Sequence, residues 1–451
     1  MNTEMLKRRI SGAVITAFEP GFAAQRSSLI WNGRQPASRA RLIVRAASVA
    51  DVQEAVRFAA ANGLTVSPRG GGHHFTGIAA QADMVIDLGA LKRLQIDAVA
   101  RSARIEPAVN NLELASALDQ KGLAFPLGHC GSVPMSGYLL GGGFGWNGSV
   151  WGFGCGLVRS AEVVLADGRC VSASKSENPD VFWALRGAGP GFFGIVTAYH
   201  VDLKLAPRAI ETVVRVYPGA MATDVATWAE AVMAKAPASV EFTAKVANTA
   251  TGPMVAAIAT VFANSAEEAR AVHAVIAVGA PSALETIGPM QSSFPGLYQA
   301  TDPTVPVGRR YRVDSVWSDA EFGAILGLVV DGMAQSPSLD SFTVLTLRSK
   351  AAPMPADAAL SQDGRIFGAM YGQWVDADDD ERNAFWLQRL IADLSPLCCG
   401  AYVGLCDLSR PGARLATHSH AAVSRLSDLR RRFDPQGLFT TVPAAPALAA
   451  E

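Results

Sequence analysis

The chain lacks any charge imbalance, carrying 39 Lys plus Arg against 40 Asp plus Glu. With no basic excess to neutralise a phosphate backbone, nucleic acid is not an expected partner. Long hydrophobic runs are missing too. Nothing approaches the ~18 apolar residues of a bilayer span, so no membrane partner is expected. Lys7, Arg8 and Arg9 precede an apolar stretch, Ile10 to Phe18, but Ser11, Gly12 and Thr16 interrupt it, which makes a poor secretory signal. The six cysteines, Cys130, Cys155, Cys170, Cys398, Cys399 and Cys406, form no CxxC pair. That pattern argues against a zinc site or a disulfide framework and for a cytoplasmic location, with no metal expected. Repeats and low-complexity linkers are absent. What remains is a 451-residue chain, 49% apolar and 18% charged, long enough for roughly two or three compact domains.

Glycine, by contrast, is concentrated in two loops. The first, Arg69-Gly70-Gly71-Gly72-His73-His74-Phe75-Thr76-Gly77, joins four glycines, two imidazoles and an arginine in nine residues. Glycines reach positive φ and let a ligand approach the backbone, so the run suggests N–H groups facing an anion such as a phosphate. Taken alone, the loop also fits a tight turn with surface histidines. The second runs from Gly128 through Cys130, Val133, Ser136, Gly137, Gly141, Gly142 and Gly143 to Gly145. Its formal G-x-G-x-x-G match at Gly143, Gly145 and Gly148 lacks a preceding hydrophobic strand and a following helix, because Ser149 to Gly156 reads as coil. A nicotinamide-binding unit is therefore disfavoured.

Hydrophobic periodicity fills in the rest. A helix is expected over 48–62, with Ser48 as cap and Gly63 as stop, then strands at 64–66 and 84–88 and a helix at 112–120. Asp167-Gly168 marks a hairpin, 179–185 a helix and 193–205 a long strand. Beyond residue 208, helices at 221–234, 265–278 and 319–333 alternate with strands at 240–246, 254–262, 342–347 and 367–374. This predicts a second α+β domain whose antiparallel sheet walls a substrate pocket. A strand at 401–403, an irregular segment from Ser409 to Thr417 and a helix at 421–433 complete the chain.

Together these motifs resemble the FAD-linked oxidases of the vanillyl-alcohol oxidase superfamily, within it the berberine-bridge-enzyme-like group. The residues that carry the likeness are Arg69-Gly-Gly-Gly-His73, Cys130-x-x-Val133-x-x-x-Gly137, Leu140-Gly-Gly-Gly143, Phe182-Trp-Ala-Leu-Arg-Gly187, Phe193-Gly-Ile195-Val-Thr197 and Arg432-Phe-Asp-Pro-x-x-Leu438-Phe439. The resemblance covers about residues 40 to 206 and, more weakly, 366 to 442. It implies an α+β, two-domain PCMH-type fold: an FAD-binding domain at 1–206, a substrate domain at 207–410, and a C-terminal segment, 411–451, returning to the first. It also implies FAD held by both loops, with Ile195 and Phe439 at the site, and bonded through His73 and Cys130. A neutral imidazole and a thiolate suit attack on an electrophilic ring. His74 competes with His73. Val133 resembles the small gatekeeper that admits O2.

The implied reaction is hydride transfer from a C–H beside a hydroxyl or amine of a small molecule, helped by a base, with O2 reduced to H2O2. A dehydrogenase, a tailoring cyclase or a flavin binder without turnover are the alternatives. The family base is a tyrosine in Tyr-x-Asn-Tyr, and here the segment is Tyr402-Val403-Gly404-Leu405. Tyr402 and Tyr371 are the catalytic candidates, with His418, His420 and Glu241 as substitutes.

Overall fold

The computed structural model describes residues 3–348, 352, 354–410 and 415–440. Three sheets carry the architecture. The first has the order β1-β2-β4-β3, from β1 (Ala13–Thr16), β2 (Leu42–Arg45), β3 (Val66–Arg69) and β4 (Met84–Asp87). β1 is antiparallel to β2, whereas β2, β4 and β3 run parallel. A helix, Val49–Ala61, connects β2 to β3 and buries Val52, Ala55, Val56 and Ala59. Its Ser48 cap accepts from the Asp51 amide, and the Asp51 carboxylate accepts from the amides of Ser11, Gly12 and Ala47 at 2.9–3.0 Å. One carboxylate thus ties the helix start to the strand β1 entry.

The expected strand at 64–66 begins only at Val66 and runs on through Pro68. Proline is tolerated there because β3 lies at the edge of the sheet order, pairing with β4 alone among the named strands. The first glycine loop therefore leaves from the carboxyl end of a parallel strand, the usual place for a ligand in such sheets.

The second sheet, in the order β5-β6-β9-β7-β8, comprises β5 (Leu94–Asp97), β6 (Ser102–Ile105), β7 (Val158–Val164), β8 (Cys170–Ser174) and β9 (Ile195–Asp202). The β7–β8 hairpin turns at Asp167-Gly168, with Gly168 at φ 78°. The stretch 193–205 is not one strand: β9 ends at Asp202, and Lys204–Leu205 pairs instead with Leu123–Ala124. Ser149 to Gly156 is partly helical, at Gly148–Trp151 and Gly154–Leu157.

The third sheet is antiparallel throughout and has seven strands among the described residues. They are β10 (Ala209–Pro218), β11 (Val240–Thr249), β12 (Gly252–Ala263), β13 (Glu285–Ser292), β14 (Arg310–Ser318), β15 (Phe342–Arg348) and β16 (Ile366–Trp374), ordered β13-β10-β12-β11-β15-β16-β14. Helices Ala222–Met233, Phe322–Ala334 and Asp380–Leu394 cover one face, packing on Val240, Phe242, Ala244 and Val246 of β11. Strand alternation turns Glu241, Thr243 and Lys245 to the other face. The sequence reading missed β10, β13 and β14. β13 is exposed along nearly its whole length, so no period-two burial marks it.

The C-terminal segment returns to the first two sheets. Arg425 and Arg432 of helix His420–Phe433 reach Asp180 at 3.0 and 2.9 Å, and Phe433 stacks on Phe193. Asp434 accepts from the amides of Leu438 and Phe439, which sets Phe439 beside Val66 in a parallel bridge. The expected strand at 401–403 does not form. Its backbone makes a bridge from Trp317 to Gly400 and then turns. Of the irregular segment Ser409–Thr417, residues 411–414 lie outside the described ones.

Candidate active site

The two glycine loops interlock. A Cβ on Gly70 would stand 1.8 Å from Ser136 Oγ, one on Gly71 2.8 Å from the Pro134 ring, and one on Gly72, at φ 68°, 1.9 Å from the Leu29 carbonyl oxygen. Glycine is required there for loop-against-loop packing as well as for any ligand. Arg69 braces the turn: it pairs with Asp87 at 3.0 Å and donates to the carbonyls of Leu29 and Gly71 at 3.1 Å each. Its guanidinium therefore shapes the loop and is not a free anion ligand.

His73 stacks on Trp31, ring centroids 5.0 Å apart. Burial and then the Arg69 charge push its pKa down to about 4, with the Ser132 backbone of the second loop pulling the other way. The ring is thus a neutral imidazole at physiological pH. His74 is different. Its Nδ1 is hydrogen-bonded to Thr76 Oγ1 at 2.8 Å, and burial lowers its pKa to about 4 against the pull of Asp407 and the Val403 backbone. Each ring has a hydrogen-bonding neighbour, Thr76 for His74 and the Ser132 backbone for His73.

The second loop is pinned from below. Asn111 donates to the Cys130 carbonyl at 2.9 Å, and the Gly131 amide donates to Asp302 at 2.8 Å. Burial, with Asp302 adding to it, raises the Cys130 pKa, while Ser132 opposes the rise. Burial therefore favours the thiol over the thiolate at this side chain.

Both loops open into one cavity of about 1120 Å³, which continues to the free face of the third sheet. That exceeds the roughly 300–1,000 Å³ usual for a drug-sized ligand and suits a dinucleotide together with a substrate. Arg69, Gly70, Gly71, Gly72, His73, His74, Gly77, Cys130, Val133, Ser136, Gly137, Gly141, Ile195 and Phe439 line it. Gly142, Gly143 and Gly145 do not, and they pack closely against neighbouring chain. Cβ atoms there would meet Leu360, Gly154 and the Leu127 carbonyl.

Tyr402 reaches the cavity from its turn. Its hydroxyl oxygen accepts from the Gly143 and Phe144 amides at 3.1 and 3.2 Å, and burial raises its pKa to about 12 against those two bonds. Gly404 makes room for the ring, since a Cβ there would stand 2.8 Å from Tyr402 Cε1. Tyr371 also lines the cavity, stacked on Phe342 at 4.7 Å. Burial raises its pKa strongly, and the nearby Cys130 adds to the rise. His418 is spent on the Gly187 carbonyl at 2.9 Å and, like His420, does not line the cavity. Glu241 does, held by His129 Nε2 at 2.8 Å. Trp31, His129 and Lys245 escaped the sequence reading, which had only the polar alternation of β11 as a hint.

Comparison with known proteins names the cofactor of the domain that carries both loops. A sequence family described as an FAD binding domain matches residues 40–174, the stretch that holds both glycine loops. The chain carries an FAD-binding domain. An FAD-linked oxidoreductase of Penicillium crustosum is 27% identical over 441 residues, 95% of this chain and 96% of that one. The (R)-6-hydroxynicotine oxidase of Paenarthrobacter nicotinovorans is 38% identical over 200 residues, 44% of this chain and 43% of that one. Berberine bridge enzyme from Eschscholzia californica superposes with a TM-score of 0.82 at 18% identity, covering 100% of this chain and 99% of its own. The FAD-binding domain and the sheet opposite it therefore share the PCMH-type fold of that enzyme. Among the described residues no helix is long and apolar enough to cross a membrane.

Proposed function

We propose that this FAD-dependent oxidoreductase is an oxidase: it takes a hydride from a C–H beside a hydroxyl or amine of a small organic molecule and hands the electrons to O2, releasing H2O2. The single cavity that joins the glycine loops of the FAD-binding domain to a polar sheet face carries this reading. The division of labour follows the chain, with residues 1–206 and 411–451 holding the cofactor and 207–410 the substrate. FAD, when bound, supplies the hydride acceptor. His73, neutral and in contact with the second loop through the Ser132 backbone, is the residue we assign to one covalent link, and Cys130 to the second. The cysteine pattern, which contains no CxxC pair, supports a cytoplasmic location.

Tyr402 is the base in this reading. Two backbone N–H groups aimed at its oxygen stabilise the phenolate that must form before the substrate proton is taken, opposing the burial that favours the phenol, the same logic as an oxyanion hole. Tyr371 has no such donors among the described residues and orients the substrate through its ring. Val133, small and on the cavity wall, leaves O2 a path beside Cys130.

The test is a panel of small alcohols and amines given to the yellow protein, with anaerobic bleaching and peroxide followed together. Bleaching with stoichiometric peroxide on readmitting air is expected. Bleaching that air does not reverse would mean a dehydrogenase or a cyclase. No bleaching by any compound, with flavin bound, would leave a non-catalytic flavin binder.

A further inference from the structure

The charged side chains of Asp, Glu, Lys and Arg type that line the cavity, among the described residues, are Arg69, Glu241 and Lys245. Two of them are already answered. Arg69 is locked to Asp87 at 3.0 Å, and Glu241 to His129 at 2.8 Å. Lys245 has no carboxylate partner among the described residues. Its ammonium lies 4.6 Å from the centroid of the Phe342 ring, and burial alone pulls its pKa down.

The sheet register explains why that ammonium is left facing open space. Lys245 pairs across β12 with Ala256 and across β15 with Val344, a methyl and an isopropyl group that neither cover nor neutralise it. One row along, Thr243 and Thr346 share a hydroxyl contact at 3.2 Å. On the other side Phe342 stacks on Tyr371, whose ring meets Phe75 edge-on at 6.0 Å. A half-buried ammonium left unpaired is costly, and a cation–π contact offsets only part of that cost. An anion arriving from solution would remove the rest.

We propose that Lys245 is the anion subsite of this cavity and that the substrate is an organic carboxylate with a flat apolar body. The carboxylate sits on the Lys245 ammonium, and the body lies along the Phe342–Tyr371–Phe75 shelf. The anion is not the diphosphate of the cofactor: the glycine loops belong to the FAD-binding domain, while Lys245 stands on the third sheet. This subsite rests on the oxidase reading only in naming its ligand a substrate.

The experiment titrates the flavin-loaded protein calorimetrically with benzoate against benzamide and phenylacetate against phenylacetamide. Wild type, Lys245→Met and Lys245→Arg are compared, with thermal melting as the check on folding. The wild type is expected to prefer each carboxylate over its amide by roughly 10- to 100-fold, the range of a charge-assisted hydrogen bond. Lys245→Met should erase the preference and Lys245→Arg keep it. No preference in the wild type, including no binding of either compound, would overturn the proposal, and that arm needs no variant to fold. So would a preference that survives in Lys245→Met, or a Lys245→Met protein that loses flavin while still preferring carboxylates. Binding is read without turnover. A protein that prefers carboxylates yet is never bleached would sink the oxidase reading and leave the subsite standing.

Discussion

Replacing Tyr402 by Phe removes one oxygen atom and leaves the ring among Phe144, Trp317 and Phe367, whose centroids lie 6.1–6.4 Å away. The deletion separates the hydroxyl's two duties. Structurally, the Gly143 and Phe144 amides lose their acceptor, and a buried N–H without a partner costs about 1–3 kcal/mol. A destabilisation of about 2–6 kcal/mol follows for the two amides together, read as a lower denaturant midpoint at unchanged slope. Chemically, losing the base should lower the anaerobic bleaching rate by about 10²- to 10⁴-fold while flavin content stays the same. Stopped-flow absorbance and urea unfolding on one preparation report both. An unchanged midpoint would show that the two amides do not depend on the phenol, and the phenolate argument would fall with it. Unchanged bleaching would remove Tyr402 from the reaction and return the search to the His129–Glu241 pair.

If both tethers form, acid-precipitated His73→Ala and Cys130→Ala proteins each keep yellow colour through the remaining link and only the double variant releases all of it; colour lost from wild type would refute both links. Gly70→Ala drives a Cβ to 1.8 Å from Ser136 Oγ, so flavin retention should drop and Ser136→Gly should restore it, as measured by the absorbance ratio of purified protein. Acid should weaken the fold through His74, which carries no tether in this reading. Its folded pKa of about 4 lies below the usual imidazole value of 6.5, so its stabilisation is whole above pH 6.5 and is lost as pH falls through about 4. At about 1.4 kcal/mol per pH unit the gap is worth about 3 kcal/mol, and His74→Gln should flatten that part of the stability-versus-pH curve.

The features that the sequence determined alone are those whose physical requirement is local. A run of glycines followed by histidine needs no distant partner to be recognised, because positive φ and close backbone approach are properties of the residues themselves. The same holds for the Ser48 cap and the Asp167-Gly168 turn, each decided within four residues. Tertiary structure decided the chemistry. Tyr402 was a candidate from the sequence, but its surroundings came from the amide of Gly143, 259 positions away, and its expected strand dissolved into a turn. Pairing of Glu241 with His129 joins a sheet to a loop 112 residues earlier, and the isolation of Lys245 depends on Ala256 and Val344 standing opposite it. Alternation along β11 shows that one face is polar, but it carries no information about which side chain on that face finds a partner. That is fixed by strand register, which depends on the whole sheet, and it leaves Lys245 as the charge in the cavity that no carboxylate among the described residues answers.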